Sequence, residues 1–289
     1  MRMKLLGKQW MFEEFIPGEL KSAFTAFSVD REILETKTPY QKISIIENIE
    51  FGRMLFLNDL VQVAEMGDAA YHEMLVHPGL LTHPKPQKVL IIGGGDGGTL
   101  REVLKHPVRE VLLAEIDKEV INVSKQYLPS ISQNAFEDRR TKVFIEDGME
   151  TLKRYRNEFD CVILDSNDPD GSMAHELFTY NCFKLVKQAL KPNGIFIAQT
   201  GYLSDKFGKQ ARKEMKKVFP FVWFHRAFVP YILEDEHTFS FASSQKKYKE
   251  ITLSALKKRY ERRSLVTSYY SPEMHLASAV LPKYLQEST

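Results

Sequence analysis

The stretch Val89-Leu90-Ile91-Ile92-Gly93-Gly94-Gly95-Asp96-Gly97-Gly98-Thr99-Leu100-Arg101-Glu102 joins an apolar strand to a glycine-rich turn and then to a helix. That is the form of a nucleotide-binding βα unit. Glycines allow the turn positive φ and let a ligand approach bare backbone, while the helix N-terminus that follows carries partial positive charge. Gly93, Gly95 and Gly98 satisfy G-x-G-x-x-G. Alone, this spacing fits a dinucleotide enzyme, an S-adenosyl nucleoside enzyme, or a turn whose glycines merely permit tight packing. Asp96 narrows the choice, because a carboxylate repels a pyrophosphate and attracts an ammonium or sulfonium. The loop therefore points to a cationic nucleoside.

Working outward, strands are expected at Val89–Ile92, Val111–Ile116, Val143–Glu146, Cys161–Leu164 and Ile195–Ala198, with helices at about Leu100–Lys105, Lys118–Leu128, Met149–Arg156 and Leu177–Leu190. Continuous apolar strands alternating with helices imply an α/β fold with a parallel sheet covered on both faces. Phe221–Phe228 and His237–Ala242 are expected to complete that sheet as an antiparallel pair. Sites in such sheets lie beyond the strand C-terminal ends, which here carry Asp96, Glu115 with Asp117, Asp147-Gly148, Asp165–Asp168 and Gln199-Thr200. Acids thus gather along one edge.

Upstream, short apolar segments at Ile43–Ile46, Met54–Leu57 and Val61–Val63 are separated by turn residues, as in β-hairpins. A helix is expected over Ala69–Leu81, and His83-Pro84-Lys85-Pro86-Gln87 then breaks the chain. The expected division is a small N-terminal β-rich domain with its connecting helix, residues 1–83, and a Rossmann-like domain, residues 84–289. With 43% hydrophobic residues the chain can bury a sizeable core. Its formal charge of +2 makes no case for nucleic acid, and no apolar run approaches membrane-spanning length. The first residues lack the apolar stretch of a secretion signal, so the expected location is the cytoplasm. Cys161 and Cys182, the only two cysteines, read as reduced packing residues.

Each candidate has a plain alternative beside it. Glu115 at a strand end suits ribose hydroxyls, or is a solvated loop acid. Asp147 suits an adenine amino group and Gly148 lets the base approach, although Asp-Gly is a common turn dipeptide. Asp165-Ser166-Asn167-Asp168-Pro169 places two carboxylates three residues apart. With Asp96 they make an anionic cleft that suits either a divalent cation or the ammonium groups of a polyamine. His72 and His77 in Tyr71-His72-Glu73-Met74-Leu75-Val76-His77 lack the H-E-x-x-H spacing, so no zinc site is expected. The basic segments 206–217 and 246–263 read as solvated helix faces.

In order, Tyr40-Gln41, Glu65, Tyr71-His72-Glu73-Met74, the 93–98 loop, Leu100–His106, Glu115-Ile116-Asp117, Asp147-Gly148 and Asp165–Pro169 resemble the polyamine aminopropyltransferases, the spermidine synthase family. The resemblance spans about Trp10 to Pro282. It implies a small N-terminal β domain on a Rossmann-like, methyltransferase-type domain, assembled as a homodimer or homotetramer. It also implies aminopropyl transfer from decarboxylated S-adenosylmethionine, a co-substrate, to an amine acceptor, with release of 5′-methylthioadenosine and no cofactor or metal. On the matching positions, Gln41, Gly93, Gly95, Glu115, Asp147 and Gly148 hold the nucleoside, and Asp96 and Asp165 grip the aminopropyl ammonium. Asp165 is also the proton acceptor, aided by Tyr71. His72, Ser166, Asn167, Asp168 and Tyr231 line the acceptor side.

The departures from the family pattern fall at that acceptor side. Gly67-Asp68 replaces the usual Asp-Glu, Asn167 replaces a serine or threonine, and the segment after Gln199-Thr200 lacks its usual aromatic pattern. The run Tyr231-Ile232-Leu233-Glu234-Asp235-Glu236-His237 lacks the usual proline, glycine and tryptophan and gains three acids, which are candidates for the acceptor's distal nitrogen. The acceptor therefore stays open among putrescine, agmatine and longer amines. Two other functions share these features: an S-adenosylmethionine-dependent methyltransferase and a non-catalytic polyamine or nucleoside-binding protein. Asp96 and Asp165 count against methyl transfer, since neither compensates a methionyl carboxylate.

Overall fold

The structure, a computed structural model, describes residues 2–5, 7–13, 25–167, 173–204, 206–233, 235–281 and 283. Strands β1 (Arg2–Leu5), β2 (Lys8–Phe12) and β3 (Ala26–Val29) form one antiparallel sheet. Strands β4 (Arg31–Lys37), β5 (Lys42–Asn48), β6 (Gly52–Leu57) and β7 (Leu60–Ala64) form a four-stranded antiparallel meander. The predicted hairpins fall on β5 to β7. By contrast, β1 and β2 carry no alternation strong enough to be seen in the sequence.

The central sheet consists of β8 (Lys88–Gly93), β9 (Glu110–Glu115), β10 (Thr141–Ile145), β11 (Phe159–Asp165), β12 (Leu190–Tyr202), β13 (Phe221–Ala227) and β14 (His237–Ser243), in the order β10-β9-β8-β11-β12-β14-β13. From β8 to β12 all pairings are parallel, and β14 runs antiparallel to both of its neighbours. The parallel sheet closed by an antiparallel pair is what the strand pattern predicts, and the whole is the Rossmann-like, methyltransferase-type arrangement the resemblance implies. Val89 to Ile92 and Cys161 to Leu164 are buried, as strands covered on both faces require. The strand order reverses between β8 and β11, and such switch points open a crevice at the strand C-terminal ends.

Two helix limits depart from expectation. The helix expected over 177–190 begins only at Tyr180, after a tight turn at Met173–Phe178, because the Thr179 hydroxyl caps its N-terminus by accepting from Cys182 N–H at 3.4 Å. The helix expected over 149–156 stops at Lys153.

Helix α1 (Asp68–Thr82) lies on the N-terminal side of the boundary that His83–Gln87 suggested, yet it packs against the central sheet. Its residues are buried from Met74 to Thr82 without a polar face, and a helix apolar all round has to be covered on all sides. Met74, Leu75 and Leu80 share a core with Val89, Ile197 and Phe239. A second core joins Ile43 and Phe56 of the meander to Val120 and Val123 of helix α3 (Lys118–Tyr127). The meander is thereby held over the strand C-terminal ends. Cys161 and Cys182 are buried and unpaired with each other.

Candidate active site

A cleft of about 640 Å³ lies between the meander and the C-terminal ends of β8, β9, β11 and β12. That volume suits a small organic ligand. Of the residues singled out from the sequence, Gln41, Tyr71, Gly93, Gly95, Asp96, Glu115, Asp147, Gly148, Asp165, Ser166 and Asn167 all line it. A second hollow of about 540 Å³ lies at the sheet edge beside β13, walled by Lys209, Lys213 and Lys216, away from the acids. Sites are assigned by chemistry, and the acids are in the first.

The glycine loop is built by close approach. Gly93 has φ +80°, and a Cβ there would meet the Asp165 carbonyl oxygen at 2.1 Å. Gly98 opens helix α2 (Gly98–Leu104), and a Cβ there would meet the His72 ring at 2.3 Å. Asp96 Oδ1 accepts from Gly98 N–H at 2.7 Å and lies 3.5 Å from His72 Nε2. His72 Nδ1 in turn lies 3.4 Å from Asp68, which pairs with Arg101 at 2.8 Å. Burial alone would lower the His72 pKa, but Asp96 and Asp68 outweigh it and push it up to about 10. Burial raises that of Asp96, but the His72 cation and the Gly98 N–H bring it below the usual carboxylate range. Asp96 is therefore a fixed negative charge.

His72 itself does not line the cleft. Tyr71 and His72 are successive helical residues about 100° apart around α1, so when Tyr71 enters the cleft His72 is directed beneath the loop, where it is 1% exposed. Tyr231 is also off the cleft: it is fully buried in the core shared with the meander, and burial beside Asp68, Asp96 and Asp165 pushes its hydroxyl pKa up. Asp168 and Glu234 lie outside the described residues.

Asp165 ends β11 in register with Gly93, which sets its carboxyl against the loop that carries Asp96. Its Oδ1 accepts from the Tyr71 hydroxyl at 2.8 Å, while Oδ2 is buried and unpartnered among the described residues. Burial first, and then the Asp96 charge, raise the Asp165 pKa against the opposing effects of His72 and of the Thr99 and Tyr71 hydroxyls. One oxygen is thus oriented and the other is left for a ligand that can donate.

On the nucleoside side, Glu115 Oε1 accepts from Asp117 N–H at 2.9 Å, and burial pushes its pKa up to about 7. Gly95 sits against Glu115, and Gly148 against Ile92, with no room for a side chain at either. Asp147 caps the helix Gly148–Lys153 by accepting from Met149 N–H at 2.7 Å. Gln41 reaches this corner from the β4–β5 turn: its Nε2 donates to Asp117 at 3.1 Å and its Oε1 accepts from Asn167 at 3.4 Å. The Thr38 hydroxyl also donates to Asp117, at 2.8 Å. Asp117 is therefore the clasp between the meander and the central sheet.

Gln199, noted in the sequence only as lying at a strand end, also lines the cleft, as do Tyr202 and His237, which were not singled out as site residues. Gln199 Nε2 donates to the Ser166 carbonyl at 2.6 Å, which holds the Asp165–Asn167 turn against β12. Its place at a strand C-terminal end was the available signal. For His237 the signal was its place in the altered run 231–237, where the added acids drew the reading instead.

A Rossmann-like sheet with a glycine loop, a buried Glu115 and two adjoining aspartates is the arrangement of a nucleoside-dependent enzyme, and its acids suit a cationic ligand. A spermine/spermidine synthase domain matches residues 68–255, and a spermidine synthase tetramerisation domain matches residues 9–65. A polyamine aminopropyltransferase 1 of Aquifex aeolicus is 48% identical over 77% of this chain and 79% of its own length. A polyamine aminopropyltransferase of Thermoanaerobacter sp. (strain X514) is 40% identical over 91% of this chain and 93% of its own. A crystal structure of spermidine synthase in complex with the transition-state analogue AdoDATO superposes with a TM-score of 0.89 at 34% identity, covering 96% of this chain and 94% of that one. Spermidine synthase from Thermotoga maritima gives 0.88 at 33% identity over 99% and 95%. The chain belongs to the spermine/spermidine synthase family and is a polyamine aminopropyltransferase. Neither the methyltransferase nor the sensor reading is favoured. No helix among the described residues is long and apolar enough to cross a membrane.

Proposed function

We propose that this cleft transfers the aminopropyl group of decarboxylated S-adenosylmethionine to a primary amine, with Asp165 as the general base. The observation that carries this is the Asp165 carboxyl: one oxygen is held by Tyr71, the other is buried and unpartnered, and its pKa is raised beside the fixed charge of Asp96. A primary amine with a pKa of about 10 arrives protonated, so it must lose a proton before it attacks. Asp165 accepts that proton. The nitrogen lone pair then forms a bond to the aminopropyl carbon next to sulfur, the carbon–sulfur bond breaks, and its electrons neutralise the sulfonium as a thioether. Because the leaving group carries its own positive charge, this reaction calls for no metal.

In this reading Asp96 holds the donor's ammonium, Glu115 and Gln41 the ribose, and Asp147 and Gly148 the adenine edge. Ser166 and Asn167 stand on the acceptor side, a role the family resemblance extends to Asp168, while His72 and Tyr231 act from behind the site. The enzyme works in the cytoplasm as a homodimer or homotetramer, a reading supported by the match of residues 9–65 to a tetramerisation domain. The test is incubation with decarboxylated or intact S-adenosylmethionine and a panel of diamines, with products identified by mass spectrometry. Methylthioadenosine plus an aminopropylated amine is expected. S-adenosylhomocysteine would overturn the reading in favour of methyl transfer, and binding without turnover would favour a sensor.

A further inference from the structure

Resting on that reading, we propose that His237 determines acceptor specificity: its imidazole takes the distal nitrogen of a diamine-type acceptor and so selects amines with a second nitrogen over monoamines. His237 lines the catalytic cleft, is 4% exposed, and neither of its ring nitrogens has a hydrogen-bond partner among the described residues. A buried imidazole carries one donor and one acceptor that both need partners. Its ring packs on the rings of Tyr71 (5.2 Å between centroids), Tyr202 (5.7 Å) and Phe239 (5.1 Å).

The position fits the far end of an acceptor. Tyr71 touches the base Asp165 with its hydroxyl and His237 with its ring, so His237 stands one aromatic ring beyond the reacting amine. The two described acids of this segment are already engaged. Asp235 accepts from Ser204 N–H at 2.8 Å and Glu236 N–H at 2.7 Å, and the Glu236 carboxylate pairs with Arg226. Among the described residues of the run 231–237, only Ile232 and His237 line the cleft. Burial pushes the His237 pKa down to about 3, so the ring is neutral and accepts from an ammonium rather than repelling it. A monoamine of the same length would leave the ring unpaired, a penalty of about tenfold or more in selectivity.

The test compares 1,4-diaminobutane with 1-aminopentane as acceptors for the wild type, His237→Phe and His237→Gln, following methylthioadenosine release. Melting temperature and methylthioadenosine binding report whether each variant is folded. The wild type is expected to favour the diamine by about tenfold or more in kcat/KM. In His237→Phe that ratio should collapse to within a few-fold, mainly through a higher KM for the diamine. His237→Gln, which can still donate and accept, should keep part of the ratio. Equal use of both amines by the wild type overturns the proposal, as does an unchanged ratio in folded His237→Phe or a change confined to kcat. Absence of turnover with every amine in the wild type would instead overturn the transfer reading on which it rests.

Discussion

Asp96, in the loop after β8, and Asp165, at the end of β11, stand on adjoining strands at one cleft, yet their surroundings drive their proton affinities apart. Asp96 has a cation beneath it and a backbone N–H in front of it, and its pKa falls. Asp165 is buried, has the Tyr71 and Thr99 hydroxyls and a carboxylate nearby, and its pKa rises. Identical side chains are therefore suited to different tasks, and in the proposed reading one is a permanent charge and the other a proton acceptor.

The largest expected effect comes from removing the acceptor of that pair. Asp165→Asn should lower kcat by about 10²- to 10⁴-fold, while methylthioadenosine binding and melting temperature stay close to wild type; near-normal turnover would take the base role from Asp165. Next comes His72→Gln, which strips Asp96 of the buried cation beside it while Asp68 keeps Arg101, and should cost about 3–5 kcal/mol in urea unfolding at neutral pH. Because His72 titrates at about 10 in the folded protein against its ordinary 6.5, its contribution is complete below pH 6.5 and is lost as pH rises through 10. The stability gap between wild type and variant should therefore narrow between pH 7 and pH 10, and a gap that stays constant would remove the charge argument.

Gly98→Ala tests the loop rather than the charge. The added methyl would press on the His72 ring, and a loss of about 1–3 kcal/mol is expected, with weaker methylthioadenosine binding by calorimetry. The smallest effect belongs to Tyr71→Phe. Losing one hydrogen bond should reduce kcat/KM by about tenfold or less. Since the Tyr71 hydroxyl lowers the Asp165 pKa, its removal should also move the acidic limb of the kcat profile to higher pH. A limb that does not move would mean the base is another group.

Much of the cleft was legible because parallel strands bury both faces and leave their chemistry at one end. Asp96, Glu115, Asp147 and Asp165 could be read by counting residues past each apolar run. Gln41 was not readable that way. It arrives from a separate sheet, and the Thr38 and Gln41 bonds to Asp117, with that from Asn167, bring it to the nucleoside corner. His72 and Tyr231 fall in the right segments, but which side of a helix or turn faces the cleft depends on packing that a linear pattern does not carry.

By itself, then, the sequence determined the alternation of strands and helices, the glycine loop and the acids at the strand ends, since local hydrophobic periodicity and backbone freedom are properties of neighbouring residues. Tertiary structure alone decided that α1 packs on the central sheet, that His72 lies beneath the loop, that Asp96 and Asp165 differ in proton affinity, and that His237 reaches the cleft. Burial and charge pairing act between residues far apart in the chain, and they come into being only when the sheets close on each other.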